Sequence, residues 1–457
     1  MNFSYVCGEL KSATVAGLLD QGVPRRLSKA GLWSYMLCGA VQEPFTLIDG
    51  VRSAPIAAPW TGLRGKGFTD CESAQAQVTA LLEQIIREMD CHAAFLSGGI
   101  DSGALVALMR RVWPEDEIRT YCVIHEDPRT DEREWARLTA TRNGTLHTEF
   151  MLTGEMVREG MSAALDSYDQ PSVDGINNYF ASKFVAEAGE KSILSGEGGD
   201  ELFAGYGQFA KPRTAYRYAR KFCYFPQWMG QFVTRCCSQE KLKKFGQMFG
   251  CRYDSYFLTR HQFDPDWIGR LLNPDLKLLM SADEIVGMYD EMQCFVGTKD
   301  IDFGGDVINR CSWMEQRHNL RSMYLRDGIQ TSSPFGLDIK APLMDEELVR
   351  LMMAVPGAWK CDSEISKVML VRAAGEGLPA ECVSKKKQGF ALPFDKYFRE
   401  GLKDELAAFV NDGGTELFNQ REIARIWKLY LEGRTSWMRI WQCFVLDWWI
   451  KKNRVEF

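Results

Sequence analysis

The chain of 457 residues contains no uninterrupted apolar stretch near the roughly 20 residues that a membrane-spanning helix requires, so no membrane partner is expected. It opens Met1-Asn2-Phe3-Ser4-Tyr5-Val6, which has none of the basic-then-apolar pattern of a secretory leader. Histidine is scarce, at five, and the 14 cysteines are scattered without a single C-x-x-C, which excludes a zinc-ribbon grouping and a small disulfide scaffold. Free thiols in a reducing cytoplasm are expected, with the adjacent Cys236 and Cys237 read as two half-buried thiols on a helix. Positive charge is not in excess either. A net charge of -6 argues against a general nucleic-acid binder, and the one mixed Arg/Lys/Tyr segment, Lys211 to Lys221, reads as a solvated amphipathic helix. Internal repeats and low-complexity linkers are also missing, so boundaries must come from changes of pattern.

What remains is a composition of 46% hydrophobic and 25% charged residues, enough apolar area for well-packed cores. The length implies two or three compact units. Val78, Leu81, Leu82, Ile85, Ile86 and Met89 recur at helical spacing and predict an apolar stripe on a helix starting near Glu72. Short apolar runs at Ala93–Leu96, Thr120–Ile124, His147–Leu152 and Lys191–Leu194 predict strands. Helices are predicted between them, at about Gly103–Arg111, Asp131–Arg142 and Asn177–Ala188. This alternation predicts an α/β fold, a doubly wound parallel sheet with helices on both faces, binding its ligand at the carboxyl ends of the strands. Beyond Tyr206 strand signals fade, and segments such as Trp267–Met280 and Leu402–Val410 predict a mostly α-helical C-terminal half.

Two strings carry chemistry. Ser97-Gly98-Gly99-Ile100-Asp101-Ser102 lies between a predicted strand and a predicted helix. Its glycines let backbone N–H groups form a concavity, the helix points its positive end there, and the serines add hydroxyl donors, so a polyoxygen anion fits. Asp101 beside such an anion calls for an intervening cation, and Mg²⁺ suits carboxylate and phosphate oxygens. The second string, Ser195-Gly196-Glu197-Gly198-Gly199-Asp200-Glu201-Leu202-Phe203-Ala204-Gly205-Tyr206, also follows a buried strand. Three acids among glycines oppose folding through repulsion and backbone entropy, which points to function.

Together the strings identify a resemblance. Ser97–Ser102 resembles the pyrophosphate loop of the N-type ATP pyrophosphatases, and Ser195–Tyr206 is similar to the signature of the asparagine synthetase family within them. The resemblance runs from about Leu27 to Lys452. It includes Asp131-Glu132, Ala136 and His147, then Asp169-Gln170-Pro171, Ala341-Pro342-Leu343-Met344-Asp345 and Lys385-Lys386-Lys387-Gln388-Gly389-Phe390. It implies that Ser97, Gly98, Gly99, Ser102 and Gly196 hold ATP, with Lys367 a further phosphate contact, and that Asp101 and Asp200 hold Mg²⁺. It implies that Glu197 is the catalytic glutamate and Lys387 the lysine beside the acyl-adenylate.

The sequence departs from the family at position 2, which is Asn2 where the glutamine-hydrolysing members expose a catalytic cysteine. Residues 1–65 resemble the connector between the family's two halves, so the glutaminase half is expected to be missing. Residues 66–206 are then the ATP-binding core and 207–457 the helical part. Near Pro334-Phe335, Asp338 and Lys340 stand where a glutamate and an arginine are expected, which opens the acceptor to substrates other than aspartate. The reading is an ATP-dependent, AMP-forming carbon–nitrogen ligase that activates a small-molecule or peptide carboxylate and passes it to ammonia or an amine. A separate glutaminase subunit is one conceivable source of that ammonia. A peptide-ring cyclase is an alternative; β-lactam closure is disfavoured, because its enzymes carry tyrosine where Glu197 stands. A tRNA-modifying enzyme of the same fold would call for extra cysteines or a basic domain, and a non-catalytic binding protein would be expected to have lost the acids.

Overall fold

The computed structural model describes residues 3–54, 68–127, 131–206, 252–298, 301–362, 365–385, 393–412 and 414–457, with isolated positions between 224 and 249. The expectations placed on Lys211–Lys221, on Cys236-Cys237 and on Lys387 lie outside the described residues.

Near the N-terminus, strands β1 (Tyr5–Cys7), β2 (Leu10–Ser12) and β3 (Arg52–Ser53) form a small antiparallel sheet in the order β2-β1-β3. Helix α1 (Lys29–Cys38) follows β2 and is capped by Ser28, whose hydroxyl accepts from the Gly31 N–H. The principal sheet has five parallel strands: β4 (Ala93–Phe95), β5 (Arg119–Ile124), β6 (Leu146–Met151), β7 (Ser192–Leu194) and β8 (Asp338–Lys340). Their order is β6-β5-β4-β7-β8. The chain winds outward from β4 in one direction, then returns to place β7 on its other flank. Such a reversal leaves a crevice at the carboxyl ends of the two central strands.

Crossover helices supply the alternation that the sequence predicts: α2 (Cys71–Met89), α3 (Ile100–Val112), α4 (Arg133–Arg142), α5 (Gly154–Asp166) and α6 (Ile176–Glu187). In α2 the stripe is buried at Val78, Leu82, Ile85 and Ile86 and half-buried at Leu81 and Met89. The Asp70 carboxylate starts that helix by accepting from Ser73 N–H, and Asp90, in a left-handed conformation, ends it. Helix α5 is an addition to the predicted set. Two cores flank the sheet. Val123 packs against one and Cys122 and Ile124 against the other, as successive strand residues must.

The second half is mostly helical, and the parts used below are α7 (Val307–Met314), a π-helix over Glu315–Leu325, α8 (Arg326–Ser332), α9 (Glu346–Ala354), α10 (Val368–Ala374) and α11 (Trp437–Asn453). One expectation needs correction here. The helix predicted over Trp267–Met280 is Pro265–Leu271, because Pro274 cannot donate in a helix interior and holds Asn273 extended. As expected the half is mostly helical, and it also supplies one strand. Asp338–Lys340 pairs with Ser192–Leu194 and completes the sheet, a segment too short and polar to announce itself.

The segment before α1 meets the end of the last helix. Leu27 N–H donates to Glu456 O and Glu456 N–H to Arg25 O, while Gln442 of α11 donates to the carbonyls of Tyr35 and Met36 in α1. Residues between Phe3 and Val51 are thus packed into the same core as the last helix. Among the described residues no helix is long and apolar enough to cross a membrane, and ten described cysteines are free.

Candidate active site

Both glycine-acid strings leave the carboxyl ends of neighbouring strands, the first from β4 and the second from β7. In the first loop Ser97 Oγ and Ser102 Oγ lie 3.2 Å apart, and Ser102 Oγ also accepts from Ser97 N–H. Gly98 has φ +77°, and a β-carbon there would stand 2.8 Å from Glu132 O. Only glycine satisfies both conditions. Gly99 is the N-cap of α3 and no side chain caps that helix, so its first N–H groups point into the loop. Asp101 sits in the first turn of α3.

The second loop packs directly on the first. A β-carbon on Gly196 would stand 2.9 Å from Asp101 Cβ and 3.0 Å from Ser102 N. The glycines of this string therefore make room for the first loop's acid as much as for a ligand. Gly198, at φ +92°, starts a short helix over Gly199–Leu202 that carries Asp200. Asp101 and Asp200 converge. Lys367 Nζ, from the residue that precedes α10, is 2.8 Å from Asp200 Oδ1 and also pairs with Asp101 Oδ2. Burial pulls the Lys367 ammonium toward lower pKa, but Asp101 and Asp200 outweigh it and raise the group above the ordinary lysine value.

Glu197 points elsewhere. It accepts a hydrogen bond from Asn178 of α6, and its Oε2 lies 3.8 Å from where a β-carbon on Gly328 of α8 would be. Burial first, then the acids Asp174 and Glu201, push the Glu197 carboxyl up to about 8. Burial likewise pushes Glu201 up to about 7, against the hydrogen bond that Tyr206 OH donates to it at 2.5 Å. Asn178, Asp174 and Gly328 were not singled out from the sequence. They lie in a helix, a loop and a helix with no glycine-acid pattern, and only the tertiary fold brings them to Glu197.

Other expected residues fall in distinct places. Lys385, the first of the three consecutive lysines, pairs with the buried Glu132 and lies 4.6 Å from the Trp135 ring centroid, tying the late motif to α4. Lys340 Nζ donates to Met89 O at 2.8 Å, so its ammonium serves the end of α2. Ala341–Asp345 forms a turn of 3₁₀ helix over Pro342–Met344, after which Asp345 caps α9. Met344 lies against Gly198, so this turn supports the second loop from beneath.

The two carboxylates converging on one cation position, which the Lys367 ammonium takes up here, are a donor set that a magnesium ion would fit. Mg²⁺ is commonly held in this way, by one or two carboxylates with the remaining positions left to phosphate and water.

The profile of the family described as Asparagine synthase matches residues 83–451. The chain is similar to "Asparagine synthetase (glutamine-hydrolyzing) 1" of Bacillus subtilis (strain 168), with 22% identity over 428 aligned residues, 87% of this chain and 64% of that protein. A "Putative asparagine synthetase (glutamine-hydrolyzing)" of Mycobacterium tuberculosis (strain ATCC 25618 / H37Rv) is 23% identical, covering 94% of this chain and 68% of its own length. The Gallus gallus "Asparagine synthetase (glutamine-hydrolyzing)" reaches 30% identity over 161 residues, 32% of this chain and 28% of its own. The chain thus spans 64% of the length of the Bacillus protein and 68% of that of the Mycobacterium protein.

Proposed function

The chain belongs to the asparagine synthase family, and from that premise we propose that it is an ATP-dependent amide synthetase that forms AMP and pyrophosphate through an acyl-adenylate. The observation that carries the reading is the convergence of Asp101 and Asp200 on one point beside the uncapped start of α3. The loop Ser97–Ser102 binds the pyrophosphate portion of ATP through its N–H groups and hydroxyls. Asp101 and Asp200 hold Mg²⁺, which when bound neutralises charge on the phosphates. A substrate carboxylate oxygen attacks the α-phosphorus and pyrophosphate departs, with the loop's donors and the α3 dipole stabilising the negative charge that develops.

In the second half-reaction ammonia or an amine attacks the adenylate carbonyl, a C–N bond forms, and AMP leaves with the electron pair of the broken C–O bond. Glu197 takes the proton that the nitrogen loses. A carboxyl pushed up to about 8 suits that task, since a general base works best with a pKa near the working pH. Lys387 is proposed to stabilise the tetrahedral intermediate. The nitrogen donor is proposed to be free ammonia or an amine. We read 66–206 as the nucleotide-binding unit and 207–457 as the helical part, with 1–65 a connector.

Acyl donors are identified by ATP–pyrophosphate exchange across a panel of small and peptidic carboxylates, which reports adenylation before the amine is known. Exchange dependent on one carboxylate class supports the reading. No carboxylate-dependent exchange, with ATP binding intact, would overturn it.

A further inference from the structure

Lys367 is an unusual residue in its own right. Its backbone lies at φ +56°, a left-handed conformation that non-glycine residues rarely adopt, and its side chain is 4% exposed. The stem runs where a β-carbon on Gly205 would stand, 2.1 Å from Lys367 Cε, so glycine at 205 clears its path. The neighbouring Ser366 hydroxyl donates to Gly205 O at 3.3 Å, and Gly205 N–H donates to Asp200 O at 2.8 Å, fastening the second loop to the start of α10. A buried lysine in a strained backbone persists only where its surroundings require it. The requirement visible here is two carboxylates, brought together from β4 and β7, whose mutual repulsion one ammonium offsets.

That ammonium stands between the same two carboxylates proposed above to hold a divalent ion. The two cations cannot share the position: Mg²⁺ needs oxygens at about 2.1 Å on every side, and an ammonium in contact with both carboxylates adds like-charge repulsion. Phosphate oxygens change the balance, because they attract Nζ and bring their own metal ion. We propose that Lys367 is a positioning residue that acts as an internal counter-ion. It holds Asp101 and Asp200 in register while no nucleotide is present, excludes a bare divalent cation from between them, and yields the place only to a metal–nucleotide complex. This rests on the reading of Asp101 and Asp200 as the metal-holding pair, and it makes metal binding conditional on nucleotide.

The test is Mn²⁺ binding to the full chain, read without nucleotide by the loss of the free-ion electron paramagnetic resonance signal and, with α,β-methylene-ATP, which itself chelates Mn²⁺, by the excess Mn²⁺ retained with the protein in equilibrium dialysis. Without nucleotide the unmodified protein is expected to leave Mn²⁺ free into the millimolar range. Lys367→Met, which keeps the stem and removes the charge, is expected to bind bare Mn²⁺ at least about tenfold more tightly, as removal of a cation from two carboxylates demands. Lys367→Gln repeats the test should the Met variant fail to fold, and Lys367→Arg, which keeps a cation, should behave like the unmodified protein. Bare Mn²⁺ binding by the unmodified protein as tight as in the neutral variants overturns the counter-ion role while leaving the metal pair standing; should neither variant fold, millimolar or tighter bare binding by the unmodified protein alone decides against it. Absence of Mn²⁺ binding in every protein even with the nucleotide analogue overturns the metal pair itself, and this inference with it.

Discussion

Gly199 and Asp101 are so closely packed that a β-carbon on the glycine would stand 2.2 Å from Asp101 Oδ1 and 2.4 Å from Cγ. The contact joins the short helix of the second loop to the first turn of α3, and it leaves no space for a methyl group. Gly199→Ala is therefore expected to push Asp101 out of line with Asp200. Overpacking of this kind typically destabilises by about 1–3 kcal/mol. The variant should lose pyrophosphate exchange while remaining folded by circular dichroism. Wild-type exchange in Gly199→Ala would mean that Asp101 needs no fixed place.

Asp101→Asn and Asp200→Asn each remove one carboxylate from the proposed metal position. Both variants should lose adenylation by on the order of 10²–10³-fold, the range for deleting a group that stabilises transition-state charge. The measurement is carboxylate-dependent ATP–pyrophosphate exchange at saturating ATP. Near-normal exchange in either variant would place the metal elsewhere.

Glu197→Gln should separate the half-reactions. Glutamine can keep the contact with Asn178 and the shape of the loop, but it cannot accept the proton of the attacking nitrogen. Adenylation should persist and amide formation fall roughly 10²–10⁴-fold, as expected for loss of a general base. Exchange and amide production are measured side by side. A parallel fall in both would place Glu197 at the carboxylate donor or the phosphates.

The pH dependence follows from the raised pKa of the same group. Glu197 is a base only when ionised, and its carboxyl is pushed up to about 8, so amide formation should climb from pH 6 and level off above 8. Glu197→Gln should retain only the titration of the nucleophile. Stability runs the opposite way. A carboxyl whose folded pKa is raised stabilises the fold below its unfolded value, near 4.5, and that contribution is lost as pH rises through about 8. The melting temperature of the ligand-free protein should therefore fall more steeply between pH 6 and 9 than that of Glu197→Gln. Parallel melting curves would show that Glu197 is ionised throughout.

The parts of this molecule legible in its sequence are those where a short apolar run ends in glycines and acids. Ala93–Leu96 and Lys191–Leu194 mark β4 and β7, and the strings after them mark the two loops, because strand, turn and helix signals follow one another along a few residues. Lys367 was singled out, yet its partnership was not legible. It lies 266 positions from Asp101, and nothing local records that the two meet. Asn178 was hidden for the same reason, being one of several polar side chains in a helix whose buried residues are mostly apolar. Strand β8 escaped because Asp-Ile-Lys offers one apolar residue, and its pairing with β7 supplies what its own sequence does not.

That strand has a consequence for how the chain is made. Ser192, Ile193 and Leu194 pair with Asp338, Ile339 and Lys340, so β7 leaves the ribosome long before the partner that covers its outer edge. Until then β7 presents a row of unpaired backbone groups, the kind of template on which other chains add strands. Pairing across so long a loop is slow because the loop must close before any contact rewards it. A translation product that stops between residues 206 and 337 would hold both glycine-acid loops but keep that edge bare, and it should collect in aggregates rather than as a smaller folded protein.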